Sequence, residues 1–328
     1  MSLNNKSILI TGGTGSFGRK FTKYVLRKFP KLKKLVIFSR DELKQHEMSE
    51  EFSEKKYPMI RYFIGDIRDL KRLNLALNGI DVVIHAAALK QVPTAEYNPF
   101  ECIQTNIHGA QNIIESSLYN NVKQVIALST DKAVAPINLY GATKLCSDKL
   151  FIAANNIKGK QKIKFSIVRY GNVMNSRGSI VPFFQKKKKQ GILPITHKDM
   201  SRFNISLEDS VKLVIWALEN SFTGGEIFVP KIPSYRILDL AKAICLKCKI
   251  KYIGIRPGEK IYEELITTSE STNTIDLGSN YVILNGSNKI GRKKFLSIKG
   301  AKKVKLGFSY NSKENKNILS VNELKKII

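Results

Sequence analysis

Apolar, β-branched runs alternate with amphipathic stretches through the first half of the chain. The apolar runs predict strands at Ser7–Thr11, Leu35–Phe38, Arg61–Ile64, Asp81–His85, Gln124–Leu128 and Lys164–Arg169. The amphipathic stretches predict helices at Phe17–Phe29, Asp41–Phe52, Glu101–Leu118 and Leu139–Ala154. Short strands separated by helices indicate a parallel sheet with right-handed crossovers. The first half is therefore predicted to be an α/β fold with a doubly wound parallel sheet.

The pattern changes after about Tyr170, where Gly, Pro and Asn become frequent and the helices become shorter. The clearest later helices are predicted at Leu207–Glu219 and Ile237–Cys245. We expect a nucleotide-binding domain over residues 1–170 and a smaller substrate-binding lobe over residues 171–269. Residues 270–328 are expected to form a basic tail with a closing helix at Val321–Ile328.

A glycine-rich turn follows the first strand and opens the first helix, with glycines at the spacing GxxGxxG. Glycine fits a tight turn that approaches a pyrophosphate, and the helix N-terminus offers N–H groups to the phosphates. The position of the turn on the first strand of a βαβ pattern supports a Rossmann-type dinucleotide site. The cofactor contacts predicted here are Gly12, Thr14, Gly15, Ser16, Phe17 and Gly18.

The end of the second strand bears on the identity of the dinucleotide. A carboxylate there would bind the ribose 2′-OH of NAD, whereas a cation accommodates the 2′-phosphate of NADP. The chain has Ser39 and Arg40 at this place and Lys44 one helical turn later, so NADP is predicted. The alternative is that these cations are solvated charges. Asp41 is a carboxylate in the same stretch, but it follows the arginine and is expected to cap the next helix. Asp66, just after the third strand, is placed to bind the adenine edge.

Tyr140 and Lys144 lie four residues apart on a predicted helix and therefore share one face. Lys144 would hold the nicotinamide ribose, and its charge, with that of the oxidised ring, is expected to lower the pKa of Tyr140. A phenolate can then take a sugar hydroxyl proton while hydride leaves the carbon. The pair follows the fifth strand, whose C-terminal end is where ligands bind in open α/β sheets.

Several motifs of the chain resemble one family of sugar-nucleotide enzymes. They are Ser39–Lys44, Ala86–Lys90, Glu96–Pro99, Leu128–Lys132, Asn138–Lys144, Arg169–Val173 and Ile255–Lys260. Together with the glycine turn, His85 and Asn106, they are similar to extended short-chain dehydrogenases/reductases. Within that group they resemble the PseB family, the inverting UDP-N-acetylglucosamine 4,6-dehydratases. The resemblance runs from Ser7 to about Leu265.

The resemblance implies a lyase that dehydrates UDP-N-acetylglucosamine at C4/C6 with inversion at C5. The product would be UDP-2-acetamido-2,6-dideoxy-β-L-arabino-hex-4-ulose, formed by transient oxidation with tightly bound NADP. Such a product feeds pseudaminic acid or related surface glycans. Family members are usually homo-oligomers, so a dimer or hexamer is expected. An epimerase or reductase of the same fold is the alternative function.

Catalytic roles follow from the same resemblance for Thr130, Asp131, Lys132, Tyr140 and Lys144. Tyr140 deprotonates the C4 hydroxyl, Lys132 removes the C5 proton, and Asp131 protonates the departing C6 oxygen. The retaining dehydratases usually have Asp-Glu at this dipeptide, so Lys132 favours the inverting branch. A lysine base must be neutral, so this role would need a lowered pKa of Lys132.

The resemblance also implies binding residues outside these motif centres. Further cofactor contacts are expected at Ile67, Ala86, Ala87 and Lys90. Contacts with the nucleotide-sugar are expected at Lys90, Asn172, Arg177, Arg202, Arg256 and Glu259. Arginine suits a diphosphate because its planar fork pairs with two oxyanions. Each residue alone is more typical of a surface charge, so the motif context carries these assignments.

Composition changes this picture in one respect. The chain has 328 residues, and its 43% hydrophobic and 25% charged residues are ordinary values, but its formal net charge is +28. A basic face could bind nucleic acid, which is a third hypothesis. The lysines are scattered, however, and no aromatic-interleaved basic stripe marks a nucleic-acid groove. Compositional drift is therefore favoured, and no nucleic-acid partner is expected.

The remaining features concern compartment and metals. No apolar run approaches the roughly 20 residues that cross a bilayer, and no export signal opens the chain. We therefore expect a cytoplasmic protein without a membrane span. Cys245 and Cys248 have CxxC spacing but lack further ligands, so core or incidental cysteines and no metal are expected.

Overall fold

The computed structural model describes residues 3–174, 176, 178–286 and 288–328. The strands of the nucleotide-binding half are β1 (Ser7–Thr11), β2 (Lys34–Ser39), β3 (Ile60–Ile64), β4 (Val82–His85), β5 (Gln124–Thr130) and β6 (Lys164–Tyr170). The later strands are β7 (Asn172–Val173), β8 (Ile192–Ile195), β9 (Ser201–Ile205), β10 (Ile227–Pro230), β11 (Ser234–Arg236), β12 (Lys249–Tyr252), β13 (Glu264–Ile266), β14 (Thr274–Asp276), β15 (Asn280–Ile283), β16 (Lys302–Lys303) and β17 (Tyr310–Asn311).

The α-helices lie between these strands. Those of the first half are α1 (Ser16–Lys28), α2 (Glu42–Glu51), α3 (Leu70–Ala76), α4 (Val92–Tyr97), α5 (Pro99–Ile103), α6 (Gly109–Tyr119) and α7 (Leu139–Ile157). Those of the second half are α8 (Ile180–Lys188), α9 (Leu207–Asn220), α10 (Ile237–Ile244), α11 (Lys289–Leu296) and α12 (Val321–Ile327). No helix in these described ranges is long and apolar enough to span a membrane.

A ten-stranded sheet runs through the centre of the fold in the order β16-β14-β15-β10-β6-β5-β4-β1-β2-β3. Neighbours from β3 to β10 pair in parallel, whereas β15, β14 and β16 join at one edge by antiparallel pairing. β1 pairs with both β2 and β4, so the strand order reverses there, at the point where doubly wound sheets bind ligands. The predicted doubly wound α/β sheet is confirmed.

The strand prediction holds for all six strands of the first half, and β1 has the predicted bounds. All five residues of β1 are buried, which follows from helices covering both faces of a parallel sheet. One predicted helix, Glu101–Leu118, is divided. A π-helical segment at Gln104–His108 separates α5 from α6. The apolar periodicity of a helix does not reveal such a local change of hydrogen-bonding register.

The smaller lobe has its own core beside the main sheet. A three-stranded sheet, β11-β9-β7, and a parallel pair, β12-β8, form its strands. Phe184 of α8, Leu240 of α10 and Tyr235 of β11 are buried in one apolar cluster. Leu324 of α12 is buried in the same cluster, so the predicted closing helix packs against this lobe.

The segment after Glu270 takes part in both cores. Its strands β14 and β15 extend the central sheet, with β15 paired to β10. Phe295 of α11 is fully buried, with its ring centroid 4.8 Å from that of Phe222 and 6.2 Å from that of Phe228. The division into a domain, a lobe and a tail at residues 170 and 269 remains a prediction. The C-terminal segment nevertheless contributes strands to the central sheet and side chains to the two cores.

The expectation for Cys245 and Cys248 is wrong, because the two form a disulfide. α10 ends at Ile244 and β12 begins at Lys249, and the short turn between them brings the two Cα atoms within 5.4 Å. Cys102 and Cys146 have free thiols. Among the described residues, no group of three or more His, Cys, Asp or Glu side chains is arranged to hold a metal ion.

Replacing Phe295 with Ala tests whether the C-terminal segment belongs to the cooperative core. We expect the free energy of unfolding to fall by about 3–5 kcal/mol, because a fully buried aromatic side chain leaves a cavity. Urea denaturation measures the change. Leu306→Ala is the matched control, since Leu306 is 84% exposed in the same segment and its loss should cost about 0.5 kcal/mol or less. Equal stability of the two variants would show that the segment is not part of that core.

Candidate active site

The glycine-rich turn is tightly packed at the end of β1. Gly12 has φ +65°, and a Cβ there would lie 3.0 Å from backbone atoms of Ala87. A Cβ on Gly18 would lie 2.2 Å from the carbonyl oxygen of Gly13. α1 begins at Ser16. Its N-cap residue is Gly15, so no side-chain cap is bonded to the first N–H groups of the helix. Backbone N–H groups at such a helix start suit a phosphate.

The other predicted turn residues stand beside these glycines. Thr14 is buried in the turn, and Phe17 lies in the first turn of α1, with its ring centroid 6.0 Å from that of Phe21. Together with Ser16 they surround the start of α1. The structure therefore brings the six predicted turn residues to one place.

Thr11 forms the floor of this turn. Its Oγ1 accepts hydrogen bonds from the backbone N–H groups of Ala86 (3.1 Å) and Ala87 (3.2 Å) and lies 2.9 Å from Nδ1 of His85. Because this oxygen already accepts two N–H groups, its own proton faces Nδ1, and the ring proton of His85 is on Nε2. Burial, with the charge of Lys144, lowers the pKa of His85 to about 3, so the ring is neutral.

The two predicted cations at the end of β2 are placed differently. The Arg40 side chain is 50% exposed, with Nη1 3.4 Å from Oδ2 of Asp66. The Lys44 ammonium is paired with Asp41, whose carboxylate also accepts the backbone N–H of Lys44 and caps α2. The proposed capping role of Asp41 is therefore confirmed. Ser39 is buried at the strand end, where Gln45 Nε2 donates to its Oγ at 3.0 Å.

Asp66 and Ile67 follow β3 at the same edge of the sheet. Asp66 accepts hydrogen bonds from the backbone N–H and from Nε of Arg68, each at 2.9 Å. Burial raises the pKa of Asp66, but these hydrogen bonds and the charge of Arg40 outweigh it and lower the pKa below its usual value. Ile67 packs so closely on α6 that a Cβ on Gly109 would lie 2.5 Å from it. Asp66 is thus an ionised acceptor near the turn.

Buried polar side chains recur every four residues along α7. The helix begins after Asn138, whose Oδ1 accepts the N–H of Gly141 at 2.8 Å. Tyr140, Lys144 and Asp148 follow on one face and are all buried. Burial lowers the pKa of Lys144, and the charge of Asp148 opposes that shift. The predicted Tyr140–Lys144 face is therefore present, with an added carboxylate below it.

Burial raises the pKa of Tyr140 to about 12. The charge of Lys132 and a hydrogen bond between the phenol and the Thr130 side chain act in the opposite direction. The expectation that Lys144 is the protein cation that lowers this pKa is not confirmed. Lys144 lies one turn further along α7, where its charge interacts with Asp148.

The π-helical segment at Gln104–His108 positions Asn106. Its Nδ2 donates to the carbonyl of Leu89 at 2.9 Å and to Oγ1 of Thr143 at 3.0 Å, and its Oδ1 accepts the N–H of Leu89 at 2.8 Å. Asn106 therefore ties the loop after β4 to α7, and π-helical bulges often occur at functional sites. Lys90 follows in this loop, and burial together with the charge of Lys132 lowers its pKa.

An ion cluster lies directly beyond β5. Thr130 Oγ1 donates to Oδ1 of Asp131 at 2.9 Å. Lys132 Nζ lies 2.9 Å from the same Oδ1 and 3.3 Å from Oε1 of Glu263, and it donates to Oδ1 of Asn172 at 3.2 Å. Asp131 is fully buried and Glu263 is 3% exposed. Lys132 is thus enclosed by two carboxylates and an amide.

The lowered pKa that a lysine base needs is absent from Lys132 in this structure. Burial does lower it, but the charges of Asp131 and Glu263 outweigh burial and raise the pKa well above its usual value. The Lys132 side chain is 25% exposed, so its ammonium is not in bulk solvent. Before the reaction begins, Lys132 is therefore protonated and its ammonium is fixed by its contacts in the ion cluster.

The predicted substrate residues fall into two groups. Arg202 joins Asn172 at the ion cluster, with Nε 3.8 Å from Oε1 of Glu263. Arg256 and Glu259 form an exposed turn, in which the N–H of Arg256 donates to Oε2 of Glu259 at 3.4 Å. This turn is attached beside α7, because Asn138 Nδ2 donates to the carbonyl of Gly258 at 2.8 Å. The last predicted residue, Arg177, lies outside the described residues.

Two buried residues of the site were not predicted. Asp148 follows Tyr140 and Lys144 at the same helical spacing, and that periodicity could have found it. Glu263 lies three residues after the last motif residue, Lys260, and no local pattern connects it with Lys132. Only the fold brings these distant segments together.

The parallel sheet, the glycine turn and the Tyr140–Lys144 face define a short-chain dehydrogenase/reductase. The family model described as polysaccharide biosynthesis protein matches residues 8–285. The UDP-N-acetylglucosamine 4,6-dehydratase (inverting) of Campylobacter jejuni strain 81-176 is 54% identical over 99% of this chain and 98% of that protein. The UDP-glucose 4-epimerase of Rickettsia akari is 43% identical over 99% of this chain and 95% of that protein.

Two solved structures agree with the fold. Pen from Bacillus thuringiensis superposes with a TM-score of 0.90 at 38% identity, over 100% of this chain and 98% of that one. DesIV, a dTDP-glucose 4,6-dehydratase from Streptomyces venezuelae with NAD and TYD bound, superposes with a TM-score of 0.68 at 20% identity. The match covers 78% of this chain and 86% of that one. The chain belongs to the polysaccharide biosynthesis family, in the extended short-chain dehydrogenase/reductase branch that includes the inverting UDP-N-acetylglucosamine 4,6-dehydratases.

Proposed function

We propose that the protein dehydrates UDP-N-acetylglucosamine with inversion at C5, using NADP that it regenerates in each turnover. One observation carries the proposal. Thr130 Oγ1 donates to Oδ1 of Asp131, Asp131 holds Lys132, and the charge of Lys132 acts on the buried phenol of Tyr140. The group suited to oxidation and the pair suited to elimination are therefore contiguous. The 54% identical relative from Campylobacter jejuni, named as this enzyme, supports the same conclusion.

Tyr140, once ionised to the phenolate, begins the reaction by taking the proton of the C4 hydroxyl. A nicotinamide held here would supply the hydride chemistry, the oxidation at C4 and the later reduction at C6. The raised pKa of Tyr140 means that the phenol needs positive charge nearby to ionise, and Lys132 is the protein cation that acts on it. Lys144, buried one turn away, would hold the ribose of the cofactor.

Asp131 and Lys132 carry out the elimination. A ketone at C4 acidifies the C5 proton, which Lys132 removes, while Asp131 gives its proton to the C6 oxygen. Lys132 is protonated at rest, so it must first pass its own proton to a neighbouring group. The C5–H electrons form the new C5–C6 double bond, and water leaves. Reduction at C6 is then matched by a proton that returns to C5, on the opposite face for inversion.

The epimerase hypothesis retains support from the relative in Rickettsia akari, named UDP-glucose 4-epimerase. An epimerase needs oxidation and reduction at C4 but no acid and base at C6 and C5. The buried Asp131–Lys132 pair is expensive to desolvate and has no task in such a reaction. Dehydration uses both members of the pair and is therefore favoured.

NADP is proposed because a cation, Arg40, follows the end of β2, and a cation at that position of such sheets accommodates a 2′-phosphate. Half of this side chain is exposed at the end of β2, so its guanidinium is accessible. We also propose that the product serves pseudaminic acid or a related surface glycan. A homo-oligomer is proposed as well, since Tyr97 (87% exposed) and Phe100 (64% exposed) leave an apolar surface for a second copy to cover.

Incubation with UDP-N-acetylglucosamine in heavy water tests the reaction itself. The product should have lost one water and carry solvent deuterium at C5, because that carbon is deprotonated and reprotonated. Mass spectrometry and NMR measure both changes. Lys132→Ala should still bind NADP but lose the exchange at C5. An unchanged mass with an altered C4 configuration would contradict dehydration and support the epimerase.

Arg40→Ala tests the choice of dinucleotide. The affinity for NADP should fall about 10–100-fold, the equivalent of a charge-assisted hydrogen bond or two, and that for NAD should stay nearly constant. Calorimetric titration of both dinucleotides measures the two affinities. Arg27→Ala, in the last turn of α1, is the control and should change neither. Equal losses for NAD and NADP would contradict the assignment of Arg40 to the 2′-phosphate.

A further inference from the structure

Glu263 belongs to the ion cluster, but the reaction proposed above assigns it no role. Its Oε1 lies 3.3 Å from Nζ of Lys132 and 3.8 Å from Nε of Arg202. Its Oε2 and the Oδ2 of Asp131 are buried without a hydrogen-bond partner among the residues that the structure describes. Two nearly inaccessible carboxylates therefore share one ammonium.

The two carboxylates have unequal access to positive charge. Glu263 forms ion pairs with both Lys132 (3.3 Å) and Arg202 (3.8 Å), whereas within the described part of the chain the ion pair of Asp131 is with Lys132 alone (2.9 Å). When two carboxyl groups are buried side by side, the charge of one raises the pKa of the other. The proton then binds to the carboxyl group that has fewer cations near it. By this count Asp131 takes the proton and Glu263 remains ionised.

The pKa directions agree with this count. Burial and the charge of Glu263 raise the pKa of Asp131 against the opposing charge of Lys132. Burial would also raise the pKa of Glu263, but the charges of Lys132, Arg202 and Lys260 lower it below the usual value. The two carboxyl groups thus separate into an acid and an anion.

We propose that Glu263 is a positioning residue that keeps the proton on Asp131, the acid of the elimination, by remaining ionised beside it. The inference rests on the proposed function for the reaction that Asp131 serves. The charged or titratable side chains acting on Lys132 from the surrounding elements are Asp131, Glu263, Arg202, Lys90, Tyr140 and Tyr235. Among these, Glu263 is the carboxylate besides Asp131 itself.

An ionised Glu263 also gives Lys132 a proton acceptor. Lys132 passes its proton to Glu263, and the neutral amine then takes the C5 proton. Asp131 gives its proton to the C6 oxygen, which leaves as water. One proton enters the cluster from C5 and one leaves with the water, so the cluster keeps its net charge. Glu263 then returns a proton to Asp131 through Lys132.

The C-terminal segment fixes Glu263 in place. Ser312, next to β17, accepts the N–H of Glu263 at its Oγ (2.9 Å) and donates its own N–H to the carbonyl of Glu263 (2.8 Å). The same Oγ lies 2.8 Å from Oγ of Ser201, the neighbour of Arg202 in β9. Ser312 therefore links the segments that carry Glu263 and its arginine partner.

Infrared titration of the full chain tests the assignment directly. A protonated carboxylic acid has a carbonyl stretch separate from the bands of ionised carboxylates. The part of this signal that is lost in Asp131→Asn belongs to Asp131, which separates it from the signal of the buried Asp148. In the wild-type protein this Asp131 band should persist at pH values above the usual pKa range of Asp. In Glu263→Gln it should disappear at a pH about one unit or more below that of the wild type.

The matched controls keep the test specific. Glu264→Gln removes the adjacent carboxylate, which is half-buried on β13 outside the cluster, and should titrate like the wild type. Glu263→Asp keeps the negative charge and should retain most of the band if Glu263→Gln does not fold. An Asp131 band that titrates at the same pH in the wild type and Glu263→Gln would overturn the proposal, as would its absence above the usual Asp range in the wild type.

The reaction supplies a separate readout. Glu263→Gln should lose dehydration of UDP-N-acetylglucosamine at least about tenfold at neutral pH while still reducing NADP in the first half-reaction. Full dehydration by this variant would contradict the role of Glu263. If the wild type itself does not dehydrate this substrate but the Asp131 band shifts as expected, the proposed function fails and the proton assignment stands.

Discussion

Two buried carboxyl groups that share the ammonium of Lys132 impose the constraint on which the site depends. Removing the charges of Lys132 and Glu263 from water costs several kcal/mol for each ion, and good pairing must offset that cost. The fold offsets it with Thr130 beside Asp131 and with Arg202 beside Glu263. Any element that moved out of this arrangement would leave an unpaired charge in the interior.

This constraint explains why remote segments converge on the end of β5. The cluster draws on the turn after β5, on β7, on β9 and on the residue before β13. Ser312 holds two of these segments together, and Phe295 anchors the same C-terminal region in the main core. The smaller lobe and the C-terminal segment thus complete a site that the central sheet begins.

Local patterns predicted most of the fold and the outline of the site. The strands, the glycine turn and the Tyr140–Lys144 face depend on periodicity and on neighbours in the sequence, so a single chain reveals them. The Glu263 contact and the sign of the Lys132 pKa shift depend on charges brought together by folding, which no local pattern encodes. The Cys245–Cys248 disulfide was missed for a related reason, because spacing alone does not show whether a turn closes it.

The elimination chemistry depends on where the hexose lies relative to these groups, and a crystal structure with NADP and UDP-N-acetylglucosamine measures that directly. We predict C5 within about 3–3.5 Å of Lys132 Nζ, the C6 oxygen at a similar distance from the Asp131 carboxyl group, and the C4 oxygen beside Tyr140. A hexose bound with C5 and C6 away from Asp131 and Lys132, while Lys132 remains paired with Asp131 and Glu263 in the interior, would contradict the elimination chemistry.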